Sequence, residues 1–71
     1  MIPSLLREAG QALFGRQWQT YLANELGVWR KSIQRWDKGS AEMPADMVER
    51  LGHLCAERGK ALAALARRLR G

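Results

Sequence analysis

The sequence predicts an all-α fold of four to five short helices. Apolar residues recur at intervals of three and four, no segment alternates apolar and polar residues as a strand does, and glycine or proline separates successive apolar stripes. The 71 residues are expected to form one domain, residues 1–71. A domain of this size buries only about 60% of the surface of its unfolded chain, so self-association would help to stabilise it.

Start and stop signals define the first three helices. A helix is expected at about residues 4–14, with Ser4 as a candidate cap and Gly15 after its end. Two further helices are expected at about residues 17–26 and 29–37.

The C-terminal region has its own signals. Residues 40–43 are expected to form a loop, and Pro44 suits the first turn of a following helix. We assign residues 45–58 to a helix packed on the rest of the domain. Residues 60–70 either continue that helix or form a separate one, because Gly59 weakens the middle by about 1 kcal/mol relative to alanine.

Residues 17–37 have the spacing of a helix-turn-helix. Ala23 is the small residue that two crossing helices need, and Gly27 can adopt the positive φ of a tight turn. The inward-facing apolar positions are Leu22, Leu26, Val28, Ile33 and Trp36. We also expect Trp18 in the core, because large aromatic side chains dominate burial in a small domain.

The outer face of the second motif helix is basic. Its residues are Arg30, Lys31, Gln34 and Arg35. Arginine pairs bidentately with guanine, glutamine with adenine, and lysine with guanine or phosphate, so this face suits the major groove of double-stranded DNA. The same spacing also arises by chance in helical hairpins, and a basic helix face is often simply solvated.

The charge distribution favours a polyanionic partner. The net charge is +5, and the sequence pI is about 10.4. Residues 15–40 carry five basic and two acidic side chains, whereas residues 41–59 carry two basic and four acidic ones. A cationic motif followed by a more acidic segment is the pattern expected of a protein that docks on DNA.

Four short segments carry a family resemblance. They are residues 15–20 (GRQWQT), 26–28 (LGV), 33–36 (IQRW) and 43–44 (MP). Because of these four segments, residues 12–59 resemble small bacterial helix-turn-helix transcriptional regulators of the phage-repressor-like, xenobiotic-response-element class. The resemblance implies that the second motif helix lies in the major groove, with base contacts from Arg30, Lys31, Gln34 and Arg35. It also implies that Gln19 braces a phosphate and can reach the reading helix.

Position 29 departs from the family pattern. A short polar residue that caps the reading helix is common there, and this chain has Trp29. Losing such a cap costs about 1 kcal/mol. Trp29 could instead contact a thymine methyl group, press on the sugar-phosphate backbone or anchor a partner protein. The residues expected to contact phosphates or the edge of the site are Gln17, Gln19, Thr20, Tyr21, Trp29, Lys38 and Ser40.

The C-terminal region, about residues 45–70, contains a heptad-like seam. Its members are Val48, Leu51, Cys55, Arg58, Leu62, Leu65 and Leu69. We predict a homodimer whose interface contains Leu51, Cys55, Leu62, Leu65 and Leu69. Paired modules can place two reading helices about 34 Å apart on a palindromic operator. The alternative is the core helix of a monomer with an amphipathic end.

The sequence disfavours several other classes of protein. Cys55 is the single cysteine, expected in the core or an interface, and with His53 it offers too few ligands for zinc. We expect no cofactor, no metal and no enzymatic activity, because no Ser/His/Asp set or phosphate-cradling glycine loop occurs. We expect no membrane association, because no run of eighteen apolar residues exists, and therefore a cytoplasmic location.

The resulting functional prediction is a DNA-binding repressor that blocks transcription by occupying its operator as a homodimer. The rival prediction is a helical protein-interaction module that uses the basic face and Trp29 as its anchor. A phage accessory or anti-repressor protein on the same fold is a further alternative, because a fold does not by itself determine a function.

Overall fold

The computed structural model describes residues 2–71, and the elements in that range are helical. They are α1 (Pro3–Phe14), a 3₁₀ turn (Gly15–Gln17), α2 (Trp18–Leu26), α3 (Arg30–Lys38) and α4 (Ala45–Arg70). The predicted all-α class is confirmed. The expected bounds of the first three helices agree with the structure to within one residue at each end.

The C-terminal region differs from the expected short helices. α4 is a single helix of 26 residues that continues through Gly59. Of the two alternatives for residues 60–70, continuation of the helix is therefore confirmed, and the expectation that all the helices are short is wrong at this end of the chain. One glycine costs a helix only about 1 kcal/mol, and the alanine, leucine and arginine residues that follow it are strong helix formers.

The start of α1 also differs from the prediction. Pro3 occupies the first helical turn and Ile2 is the N-cap residue, with no side-chain cap hydrogen bond. Ser4 lies inside the helix and does not cap it. A proline whose fixed φ suits the first turn sets the helix start here without a polar cap.

The core is built mainly from α1 and α2. Its buried apolar residues are Leu6, Leu13, Trp18, Leu22, Ala23, Leu26, Ile33, Met43 and Leu51. Val28 and Trp36 are partly buried against it, so the predicted inward face of α2 and α3 is confirmed. Leu51 is only 3% exposed. Its assignment to a dimer interface is wrong, because it packs inside its own domain.

Trp18 packs against a glycine of α1. Gly10 is buried, and a Cβ built on it would lie 2.1 Å from Cε3 of the Trp18 indole. Only a residue without a side chain lets the ring approach the α1 backbone so closely. This contact determines the separation of α1 and α2.

The turn between α2 and α3 depends on Gly27. Its φ is +68°, in the left-handed region, as the sequence predicts. The backbone N–H of Val28 donates to the carbonyl of Ala23 at 3.0 Å. Ala23 itself is buried, which agrees with its predicted position at the crossing of the two helices.

Only the first half of α4 packs on the domain. Arg50 donates from Nη1 to the Leu26 carbonyl at 2.9 Å and from Nη2 to the Glu25 carbonyl at 3.2 Å. Arg58 Nη1 donates to the Leu13 carbonyl at 3.2 Å. The helix then extends past the domain and gives a long dimension of 47 Å against 23 and 21 Å. No helix within residues 2–71 is both long and apolar enough to cross a membrane.

We expect Gly10→Ala to lower the free energy of unfolding by about 1 to 3 kcal/mol, the usual cost of overpacking a core. Urea unfolding followed by tryptophan fluorescence measures this. Gly59→Ala is the matched control, because a Cβ there meets no atom within 4 Å. It should raise the free energy of unfolding by up to about 1 kcal/mol through helix propensity. Equal effects of the two substitutions would contradict the packing of Trp18 on Gly10.

Candidate functional site

The outer surface of α3 is basic and exposed. Arg30, Lys31 and Arg35 are exposed, whereas Ile33 on the opposite side of the helix is fully buried. Gln34 is half-buried at the edge of this surface, and Lys38 is exposed in the last turn. The 3.6-residue helical repeat therefore separates the charged side chains from the core residue that holds the helix.

Two shallow depressions meet at Arg30. The first has a volume of about 480 Å³ and is lined by Arg16, Gln17, Trp18, Gln19, Thr20 and Arg30. The second has a volume of about 540 Å³ and is lined by Trp29, Arg30, Lys31, Ser32 and Arg35. We call the residues that line the two depressions the basic surface. No carboxylate is among them.

The basic surface includes several residues that the sequence predicts as phosphate or edge contacts. Gln17, Gln19 and Thr20 at the start of α2 lie beside Arg30 at the start of α3. Arg16, in the 3₁₀ turn before α2, completes this group, although the sequence pattern predicts no role for it. The signal that could have identified it is a basic residue directly before the first motif helix.

Four predicted contact residues do not line the basic surface: Tyr21, Gln34, Lys38 and Ser40. The Tyr21 ring stacks on Phe14, with centroids 5.9 Å apart and planes at 28°. The Arg58 guanidinium lies 5.6 Å from the Phe14 ring centroid, so Tyr21 is on the side of the domain that faces α4. Ser40 follows the end of α3, where its hydroxyl donates to the Arg35 carbonyl at 3.3 Å.

Asp37 connects α3 to both preceding helices. Arg7 Nε in α1 donates to Asp37 Oδ1 at 3.0 Å, and Gln19 Nε2 in α2 donates to Asp37 Oδ2 at 3.1 Å. The Asp37 side chain is only 13% exposed. We call these three residues the Asp37 clamp. Gln19 thus reaches α3, as the family resemblance implies, and its amide nitrogen is engaged there with a carboxylate.

The N-terminus of α3 has no side-chain cap. Trp29 is the N-cap residue, its side chain makes no cap hydrogen bond, and it is 83% exposed. Arg30, Lys31 and Ser32 of this first turn line the depressions, so the positive end of the helix dipole lies at the basic surface. The Ser32 N–H already donates to the Trp29 carbonyl at 3.0 Å. Such a helix end favours the binding of an anion, and the positive charges of Arg16, Arg30 and Arg35 in the basic surface reinforce that preference.

Acidic side chains concentrate elsewhere on the molecule. Glu25, Asp46 and Glu49 line a cleft between the end of α2 and the start of α4. The charge segregation seen along the sequence is therefore also a segregation in space. A polyanion that approaches the basic surface meets arginine and lysine, whereas these carboxylates line a different cleft.

Cys55 lies on α4 and is exposed. Its predicted placement in the core is wrong, because α4 turns this part of its surface towards solvent. His53 on the same helix is also exposed. Among residues 2–71, no group of three histidine, cysteine, aspartate or glutamate side chains is arranged to hold a metal ion.

Comparisons of the chain with protein-family models, with curated proteins and with solved structures give no match. The resemblance of residues 12–59 to helix-turn-helix regulators therefore stays a prediction. The function of the chain has to be inferred from the basic surface, the Asp37 clamp and the charge distribution around them.

We expect Asp37→Ala to lower the free energy of unfolding by about 1 to 2 kcal/mol. A charged hydrogen bond contributes about 1.5 to 3 kcal/mol, and the exposure of Arg7 reduces this value. Thermal unfolding followed by circular dichroism measures the change. Glu8→Ala is the matched control, because it removes an exposed carboxylate of α1 and should change the value by less than about 0.5 kcal/mol. A loss no larger than that of the control would show that the clamp adds no stability.

Proposed function

We propose that the chain is a sequence-specific regulator that binds double-stranded DNA and represses transcription by occupying an operator as a homodimer. The observation that carries this proposal is the basic surface around the uncapped start of α3. It joins exposed arginine and lysine, amide and hydroxyl side chains, and a helix N-terminus without a side-chain cap on one face of the molecule. These are the donor types that bind phosphates and base edges.

In this proposal α3 reads the bases. An α-helix with its side chains is about 10 to 12 Å across, which matches a major groove about 12 Å wide. Arg30 and Arg35 pair with guanine, Gln34 pairs with adenine, and Lys31 binds guanine or phosphate. Ile33 and the core beneath it keep these side chains on one rigid element.

The start of α2 and the ends of α3 bind the phosphate backbone. Arg16, Gln17 and Thr20 flank Arg30 and grip one strand beside the N-terminus of α3. Lys38 binds a phosphate at the opposite end of the helix. Such contacts position the protein on the duplex without reading its sequence, and they make the affinity dependent on salt.

The Asp37 clamp orients the reading helix. It ties α3 to α1 and α2 through two hydrogen bonds near 3 Å. Base contacts from α3 and phosphate contacts from the start of α2 then stay in a constant relative position. A reading helix held by its neighbours loses less entropy on binding than a mobile one.

A homodimer makes the binding strong enough to exclude polymerase. One short reading helix makes few base contacts, and two copies on a palindromic site double them. With Leu51 in the core, the candidate interface residues are Cys55, Leu62, Leu65 and Leu69. They follow one another along α4.

The roles of α3 residues can be separated by substitution. We expect Arg35→Ala to cost about 1 to 3 kcal/mol on the preferred DNA site and to relax base choice at one position. Lys38→Ala should weaken binding to every sequence and lower the salt slope by about one. Selection from a random duplex pool, followed by salt titrations on the selected and random DNA, measures both effects.

Lys60→Ala is the control for charge alone, because Lys60 is exposed on α4 and not part of the basic surface. It should leave the binding of both DNAs unchanged. If Arg35→Ala and Lys38→Ala lose the same affinity on selected and on random DNA, the division into base and phosphate contacts is wrong.

A second candidate function is a protein-interaction module, and the exposure of Trp29 favours it. Large aromatic side chains in the centre of an interface often dominate protein binding. In the DNA-binding proposal Trp29 contacts the duplex, so Trp29→Ala should weaken DNA binding at least about threefold, a change of roughly 0.7 kcal/mol. Fluorescence anisotropy of labelled DNA measures this. Unchanged DNA affinity together with loss of a protein partner would favour the interaction module.

A further inference from the structure

Trp29 differs from the other two tryptophans of the chain in its surroundings. Trp18 is 5% exposed and Trp36 is half-buried against the core, whereas Trp29 is 83% exposed. An indole in this position leaves a large apolar surface in water and adds nothing to the hydrophobic core. The fold itself therefore does not use this side chain.

The backbone at Trp29 turns the indole away from the core. Ile33 lies four residues later and is fully buried, and two residues four apart on a regular helix share one face. Trp29 precedes the helix with an extended ψ of 145°, which gives its side chain a different direction. Its carbonyl accepts the N–H of Ser32 at 3.0 Å and that of Ile33 at 3.4 Å. The indole is thus carried by backbone that belongs to the hydrogen-bonded start of α3.

Within the basic surface, the indole lies among the residues proposed to contact bases. It lines one depression together with Arg30, Lys31 and Arg35, which are three of the four proposed base contacts. The side chains proposed to grip phosphates beside the start of α3 line the other depression. The apolar surface of Trp29 is therefore grouped with the base contacts and not with the phosphate contacts.

Charge selects the class of molecule that can cover the indole. Three cationic side chains and no carboxylate line the depression around Trp29. The carboxylates of Glu25, Asp46 and Glu49 line a separate cleft between α2 and α4. A molecule that covers Trp29 has to approach these cations, so a polyanion such as duplex DNA is favoured.

Among the groups at the base edges of the major groove, the C5-methyl group of thymine is the apolar one. The other groups at these edges are hydrogen-bond donors and acceptors. An indole has a single N–H donor and no acceptor, so its two faces cannot satisfy such groups. Contact with the methyl group instead removes apolar surface of both partners from water.

We propose that Trp29 is a specificity-determining residue that reads the C5-methyl group of a thymine in the operator. This inference rests on the proposed function and adds a base preference to it. The arginine, lysine and glutamine contacts of α3 select guanine and adenine through hydrogen bonds. The contact of Trp29 selects thymine through apolar surface, at a position where those side chains make no choice.

Replacement of thymine by uracil tests the proposal, because it removes one methyl group and leaves the hydrogen-bonding groups of the base pair in place. The duplex selected from a random pool is prepared with each thymine replaced in turn, and fluorescence anisotropy measures its affinity. At one thymine of the site the uracil duplex should bind about fourfold more weakly, since a buried methyl group contributes about 0.8 kcal/mol. A selected site without a methyl-dependent thymine overturns the proposal.

Substitution of Trp29 assigns the effect to this side chain. Trp29→Ala should bind the thymine and uracil duplexes equally, and Trp29→Phe should keep part of the difference, because a phenyl ring also contacts this methyl group. Both duplexes are titrated with the same protein, so a loss of folded protein cancels in the ratio of the two affinities. A ratio that Trp29→Ala leaves unchanged overturns the proposal.

Tyr21→Ala is the matched control, because Tyr21 is a 53% exposed aromatic residue outside the basic surface. It should leave the fourfold ratio unchanged. A control that abolishes the ratio as Trp29→Ala does would overturn the assignment to Trp29.

The same titrations separate this inference from the proposed function. A chain that selects a DNA sequence but binds thymine and uracil duplexes equally overturns this inference alone. A chain that binds all duplexes equally overturns the proposed function and this inference with it. Equal binding of the two duplexes, together with a protein partner that is lost in Trp29→Ala, would identify a protein as the molecule that covers the indole.

Discussion

The packing of the Trp18 indole on the Gly10 backbone is the contact on which the rest of the structure depends. In a chain of 71 residues few side chains can be buried, and this ring is the largest in the core. Its position brings α1 and α2 close together, and α2 contributes Leu22 and Leu26 to the site where Ile33 is buried. The orientation of α3, and with it the basic surface, follows from a contact that itself lies in the core.

The polar contacts complement this small core. The Asp37 clamp ties three helices together at the edge of the core, and Arg50 and Arg58 tie α4 to the carbonyl ends of α2 and α1. Each of these bonds has at least one charged group and joins residues far apart in sequence. They restrain the relative orientation of the helices more than they add to the free energy of unfolding, because their outer ends are solvated.

α4 has two parts with different surroundings along one largely apolar stripe. Its first half closes the core with Leu51, and its second half presents Leu62, Leu65 and Leu69 to solvent. Between Leu51 and Leu62 the stripe contains Cys55 and Arg58, which are both exposed. An apolar surface of this kind remains where the last helix extends beyond the domain.

The sequence by itself determined the helical class, the bounds of α1 to α3, the turn at Gly27 and the basic outer face of α3, because periodicity and backbone preference depend on near neighbours. Only the tertiary structure decided that Asp37 joins Arg7 and Gln19, which are 30 and 18 residues away in sequence. It also decided that Tyr21 faces α4 and that Arg16 joins the basic surface. Leu51 and Leu65 are alike in pattern, and only the position at which the domain ends makes one a core residue and leaves the other exposed.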